Sequence, residues 1–271
     1  MRLPPEIEAA GYRLLSLEAT DSTNDDAARA AKEGDPGPLW VVSREQRAGR
    51  GRHGRNWSSP PGNLYASLLL LDPCEPALAP QLGFVAGLAL HEALCAVTGL
   101  GAPRLALKWP NDLLLDGAKI SGLLLEAHRV SAIGPLAIVI GFGVNVVHAP
   151  DGTPYAATSL QAVSPGLERE KVFSELAVSF DRCFSAWSKA RRLGDPFSAV
   201  RRLWLERAAG LGGSVTLRLP GGERTGTFMG LDAHGRLELR TTSGLELIDA
   251  GDLYFPNLSR AQEPGSHQPR V

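Results

Sequence analysis

The sequence predicts an α+β protein, with strands and helices interleaved over its first part and a small antiparallel barrel at its end. Three observations carry this. Apolar runs at 63–71 and 136–147 read as buried central strands. Segments 81–99 and 168–193 repeat apolar residues at helical spacing. From residue 214 onward, short strand-like runs alternate with glycine-containing turns, the pattern of a small barrel. The predicted division is 1–211 for the larger unit and 212–257 for the barrel. The tail 258–271 lacks apolar residues to pack and is expected to be disordered.

Composition narrows the class. A chain of 271 residues has room for one large core and a small second unit. Its net charge of −1 implies no bulk electrostatic binding to nucleic acid or membrane. Cys74, Cys95 and Cys183 are widely spaced and form no C-x-x-C pair, so they read as free thiols in a reducing compartment. The N-terminus lacks the apolar core of a signal peptide, and no apolar run approaches the ~18 residues of a membrane span. A cytoplasmic protein is expected.

In chain order, 12–17 alternates as a strand, and Ser22 or Thr23 then caps a helix whose first turn holds Asp25 and Asp26. Ala27, Ala28, Ala30 and Ala31 continue it, and Gly34 and Pro36 stop it. Residues 39–43 form the next strand and 63–71 a central one. In the helix at 81–99, Leu82, Val85, Ala86, Ala89, Leu90, Ala93, Leu94 and Val97 make a broad apolar face, and His91 and Glu92 are given structural or solvated roles. Residues 104–109 read as a strand broken by Pro110 and resumed at 113–115. Asp116-Gly117 signals a hairpin turn. The return strand is 119–126, which puts Lys119 beside the turn. Gly141 and Gly143 in the strand 136–147 imply close approach by a neighbour or ligand. A loop at 148–166 precedes helices at 168–193 and 196–209.

The segment 46–57, QRAGRGRHGRNW, stands apart. It sets Arg47, Arg50, Arg52 and Arg55 among Gly49, Gly51 and Gly54. Glycines let backbone approach a ligand, and arginines present forked donors suited to phosphate and carboxylate. Its glycines satisfy G-x-G-x-x-G, but SREQRA separates them from the preceding apolar run and Ser58-Ser59-Pro60-Pro61-Gly62 cannot propagate a helix, which excludes a dinucleotide-binding turn. The loop reads as an anion-binding element.

Four stretches in this order, DSTND at 21–25, GRGRHGRNW at 49–57, KWPND at 108–112 with Lys119 following, and GFGVNV at 141–146, closely resemble the biotin protein ligase family over roughly residues 10–256. The resemblance implies a mixed β-sheet with flanking helices, similar to the catalytic domain of class II aminoacyl-tRNA synthetases, and an SH3-like barrel. It implies that ATP and Mg²⁺ convert biotin to biotinyl-5′-AMP, from which a lysine of a biotin carboxyl carrier domain takes the biotinyl group. Catalysis would fall to Lys119, bridging biotin's carboxylate and the α-phosphate, with Arg52. Ser22, Thr23, Asn24 and Gln46 would hydrogen-bond biotin, Arg50, Gly51 and Arg52 would close over it, and Gly141 and Gly143 would wall the pocket. Arg52, His53 and Arg55 would face the phosphates, with Trp57 and Asn111 at the nucleotide. Asp112 stays open between binding metal and orienting Lys119 or Arg52. Position 53 is His where some relatives carry Arg, and its charge depends on its surroundings.

Many relatives carry an N-terminal helix-turn-helix domain. Only about ten residues precede the resemblance here, so no operator binding is expected. The rivals are a lipoate–protein ligase, another acyl-adenylating enzyme, and a biotin sensor binding nucleic acid. The loop argues against the first, and the lack of interleaved aromatics argues against the last. Exposed strands beside the loop leave a homodimer or carrier docking open. The loop itself is expected to be disordered without ligand and to close as a lid.

Overall fold

The computed structural model describes residues 1–219 and 221–255; the tail predicted to be disordered lies outside them. The first unit is a seven-stranded mixed sheet in the order β1-β2-β3-β7-β6-β5-β4. A short helix α1 (Pro5–Ala9), which sequence reasoning missed, leads into β1 (Arg13–Thr20), the exposed edge. Helix α2 (Thr23–Lys32) connects it to β2 (Leu39–Gln46), and these two strands are parallel. The central strand β3 (Leu64–Leu71) pairs antiparallel with β2, and helix α3 (Gln81–Thr98) follows it.

The strands β4 (Leu105–Lys108), β5 (Asp112–Leu115), β6 (Ala118–Arg129) and β7 (Leu136–Val144) are all antiparallel to their neighbours. Here the structure corrects the sequence: β5 does not resume β4 beyond Pro110 but folds back on it, Lys108 facing Asp112. Trp109-Pro110-Asn111 is therefore a turn. The next turn is as expected, with Asp116 and Gly117 at φ 48° and 83°, the positive angles of a type I′ hairpin.

Helices α4 (Arg169–Arg192) and α5 (Ser198–Leu205) join α3 on one face of the sheet. Leu82, Val85, Ala86, Ala89, Leu90, Ala93 and Leu94 of α3 are all fully buried there, each large side chain contributing about 1.5–3 kcal/mol. By length and mean hydropathy, 18 residues at 1.4, α3 passes for a membrane span, contrary to the expectation from the sequence. It is apolar nearly all round because helices and sheet enclose it. His91 is structural, its Nε2 3.1 Å from the Leu105 carbonyl oxygen.

The second unit is a five-stranded antiparallel sheet, β8 (Ser214–Leu219), β9 (Gly222–Leu231), β10 (Leu237–Thr241), β11 (Gly244–Ile248) and β12 (Asp252–Tyr254), in the order β11-β10-β9-β8-β12. The short β12 was not foreseen. It returns to the edge of β8 and brings residues 251–254 against the first unit.

Candidate active site

Helix α2 covers the sheet face opposite α3 and α4, packing Ala27 and Ala31 on Leu39, Val41, Leu69 and Val139. Beyond this small core the same face carries several small residues beside Tyr65 and Leu124. Ser67 faces Gly141 across the β3–β7 ladder, and Gly143 faces Gly122 across β6–β7. A Cβ on Gly143 would lie 2.5 Å from the Trp57 indole, and one on Gly141 would run into Asn24 Oδ1. The glycines are there because neighbours occupy the space that side chains would fill.

The N-terminus of α2 supplies the floor. Ser22 caps the helix, its Oγ accepting from the Asp25 N–H. Gln46, at the end of β2, accepts on Oε1 from the Thr23 N–H at 2.9 Å and from Thr23 Oγ1 at 3.1 Å, and donates to Ser59 Oγ. Asn24 donates to Glu126 at 2.7 Å, and fully buried Ser67 lies 2.6 Å from Asn24 Oδ1 and 2.7 Å from Thr23 Oγ1. This network fixes the rotamers of Thr23, Asn24 and Gln46.

The arginine loop folds over this floor. It closes on itself through the Arg50–Asn56 bridge, with Gly51 N–H donating to the Arg55 carbonyl and Trp57 N–H to that of Gly49. Arg50 points inward and grips both oxygens of Asp25 at 2.6 Å, reaching Glu126 at 3.1 Å. The Arg50 hydrogen bond outweighs burial and holds the Asp25 carboxyl below the usual range. Arg52 donates to Asn111 Oδ1 and the Gly251 carbonyl, and burial lowers its pKa. Arg55 pairs with Asp252; burial pushes that carboxyl up, but Arg55, Arg52 and His53 together hold it low.

Lys119 Nζ sits 2.7 Å from Asp112 Oδ1 and over the rings of Trp57 and Tyr155 at 5.4 and 5.3 Å. A register shift between Leu113 and Leu114 brings Lys119 opposite Leu114. Its main chain is clamped by the 148–159 loop, donating to Ala156 and accepting from Thr158. Lys108 lies 3.9 Å from the other Asp112 oxygen, and burial lowers its pKa.

The cleft so formed encloses about 980 Å³ when the open space at its mouth is included. Five cationic side chains line it against two carboxylates, Asp112 and Asp252. Of the residues singled out from sequence, Ser22, Thr23, Asn24, Gln46, Arg50, Gly51, Arg52, Arg55, Trp57, Asn111, Asp112, Lys119, Gly141 and Gly143 all line it. His53 does not. It sits exposed at the loop tip with φ 57°, followed by Gly54 at 69°, a turn that carries its side chain outside the lining. Sequence reasoning missed Lys108, Gly122, Tyr155, Asp252 and Tyr254 in the lining, and Ser67 and Glu126 behind it. An interior strand glycine such as Gly122 was a usable signal; Asp252 and Tyr254 offered none.

Fold and cleft together define a ligase-type site, in which five lysine and arginine side chains converge on one cleft suited to anionic ligands. The Biotin/lipoate A/B protein ligase family matches residues 16–145, and the biotin protein ligase C-terminal domain matches residues 210–255. The biotin–[acetyl-CoA-carboxylase] ligase of Paracoccus denitrificans is 42% identical over 246 residues, 88% of this chain and 99% of that protein. The enzyme of the same name from Mycobacterium tuberculosis is 31% identical, covering 90% of each chain. Among solved structures, the Aquifex aeolicus biotin protein ligase in complex with biotin and ATP superposes with a TM-score of 0.75 at 28% identity, covering 89% of this chain and 97% of that one. The Leishmania major enzyme in complex with biotinyl-5-AMP gives 0.61 at 29%, covering 91% and 100%. The chain belongs to the biotin protein ligase family.

Proposed function

We propose that this chain attaches biotin to a lysine of the acetyl-CoA carboxylase carrier protein in two steps, through biotinyl-5′-AMP. The observation that carries this is the Lys119–Asp112 pair, set between two aromatic rings at the junction of the glycine-cleared floor and the arginine loop. Biotin's carboxylate and ATP are both anionic, so their approach needs fixed positive charge. In the first step a carboxylate oxygen attacks the α-phosphorus and pyrophosphate leaves. Charge accumulates on the α-phosphoryl oxygens, where Lys119 and Arg52 act as preorganised donors. In the second step the carrier's lysine amine attacks the acyl carbon, AMP departs with the bonding electrons, and a proton passes to solvent. No side chain of the chain needs to act as nucleophile.

The floor holds biotin by hydrogen bonds from Ser22, Thr23, Asn24 and Gln46, and the loop excludes water from the mixed anhydride. Among the described residues, no three His, Cys, Asp or Glu side chains cluster as a metal cage. Asp112 and Asp252 are already paired with cations. Mg²⁺ therefore fits as the cation that ATP brings on its phosphates.

The test is biotin-dependent exchange of labelled pyrophosphate into ATP, with lipoate in parallel and Lys119→Ala as the variant. Exchange with biotin alone, reduced about 10²–10³-fold in the variant, is expected from loss of a transition-state donor. Equal exchange with lipoate would overturn the substrate assignment.

A further inference from the structure

Ser67 lies on β3 beneath the floor, fully buried and outside the lining of the cleft. Its hydroxyl has one proton to give and two oxygens in reach, Asn24 Oδ1 at 2.6 Å and Thr23 Oγ1 at 2.7 Å. The far end of Asn24 decides between them. Its amide nitrogen donates to Glu126 at 2.7 Å, so its carbonyl oxygen faces Ser67, and a carbonyl oxygen can only accept. Ser67 therefore donates to Asn24.

Thr23 is constrained in turn. With the Ser67 proton committed, the 2.7 Å contact between the two hydroxyls is a hydrogen bond only if Thr23 is the donor. Gln46 Oε1, 3.1 Å from the same hydroxyl, has the weaker claim and keeps the Thr23 main-chain N–H at 2.9 Å. Gln46 cannot turn over to change this. Ser59 spends its proton on the Trp57 carbonyl and so must accept from the Gln46 amide nitrogen. The Thr23 proton is thus spent inside the floor. No other group among the described residues donates to Thr23 Oγ1, so its lone pairs remain for a ligand in the cleft that Thr23 lines.

Building on the ligase reading, we propose that Ser67 is a positioning residue for biotin's cyclic urea. By taking the Thr23 proton it makes Thr23 an obligate acceptor, and the floor then reads an N–H on the ligand. The urea of biotin carries such groups; the dithiolane ring of lipoate carries none. Ser67 acts from behind the floor, through Thr23, without touching substrate.

Kinetics separate this role from a merely structural one. In biotin-dependent pyrophosphate exchange, Ser67→Ala is expected to raise the KM for biotin about five- to tenfold, as for one hydrogen bond of ordinary strength. The KM for ATP should be unchanged, and kcat should stay within about twofold, because uniform binding is what is lost. Desthiobiotin, which keeps the urea and lacks the sulfur, should lose the same factor. Ser67→Cys preserves the volume with a weakly hydrogen-bonding thiol and should behave like Ser67→Ala, which guards against a packing defect. In a Thr23→Val background, Ser67→Ala should have little further effect, since the two act as one unit. Equal rises in the KM for biotin and ATP, an unchanged KM, desthiobiotin spared, or fully additive losses would each overturn the proposal while the unmodified protein still exchanged. Absence of biotin-dependent exchange in the unmodified protein would instead overturn the ligase reading, and the proposal with it.

Discussion

Gly143 bears no side chain because Trp57 occupies the place where one would go. The ladder already fixes Gly143 against Tyr65 and Gly122, so β7 cannot step aside to admit a methyl group. In Gly143→Ala, a Cβ would lie 2.5 Å from the indole, and the indole is what must move. Overpacking of this kind costs about 1–3 kcal/mol. Trp57 also lies under the Lys119 ammonium, so its displacement disturbs the cation proposed to act in adenylation. The variant is expected to fold, with secondary structure unchanged by circular dichroism, but to lose about tenfold or more in kcat/KM for exchange. Unchanged kinetics would mean that Trp57 is not a working wall of the site.

The arginine loop is latched to two elements at once, to α2 through Asp25 and to β6 through Glu126, both by way of Arg50. If it acts as a lid, releasing the latch should open it. Asp25→Asn with Glu126→Gln is expected to speed tryptic cleavage within 50–55 in the free protein, with biotin and ATP restoring protection. Equal cleavage with and without those ligands would rule out a lid. The pH dependence has a definite sign. The folded-state pKa of Asp25 is lowered by Arg50, so the latch is fully present above the ordinary aspartate value of about 3.9. It weakens only as pH falls through the lower, folded value. Loop protection should therefore be flat from neutrality to pH 5 and fail in stronger acid. What the sequence made legible at this scale was local. Ser22 with the alanine run marked α2, and Asp116-Gly117 marked the β5–β6 hairpin, because capping and turn chemistry act within a few residues. The direction of β5 was not legible, since a proline that stops a strand and one that turns a chain look alike until β4 is there to pair with. Gly141 and Gly143 could be read as a close approach, but not what approached. That His53 sits at the loop tip outside the lining was not legible, because the loop's motif fixes residue types and not the sense of its turn. Asp252 and Tyr254 reach the cleft only through closure of residues some two hundred positions apart, which no local pattern records.

The larger consequence of that closure is that the two units share a core. Val215, Leu217, Phe228, Leu237, Leu239 and Leu253 of the second unit belong to one buried cluster with the α3, α4 and α5 faces. At the seam, Trp109 is 1% exposed and donates from Nε1 to the Gly235 carbonyl oxygen at 3.2 Å. Gly235 in turn lies against Phe84, which packs edge-on to Phe197 and Trp204. Just before the second unit begins, the main chain is tied back to β4: Leu107 N–H donates to the Arg207 carbonyl and Ala209 N–H to that of Leu107. Covalently linked units that merely dock have polar interfaces and move or unfold separately. A continuous apolar seam predicts the opposite. Urea unfolding followed by tryptophan fluorescence and by far-ultraviolet circular dichroism should superimpose on one transition. Trp109→Phe, which leaves the Gly235 carbonyl without its donor, should shift both curves together, by about 1–3 kcal/mol. Two separated transitions, or a shift in one probe alone, would show that the second unit folds independently. The outcome bears on catalysis, because Asp252, Leu253 and Tyr254 enter the cleft from that unit. If the units melt as one, the loop arginines meet partners already in place, and only the loop has to move for substrates to enter.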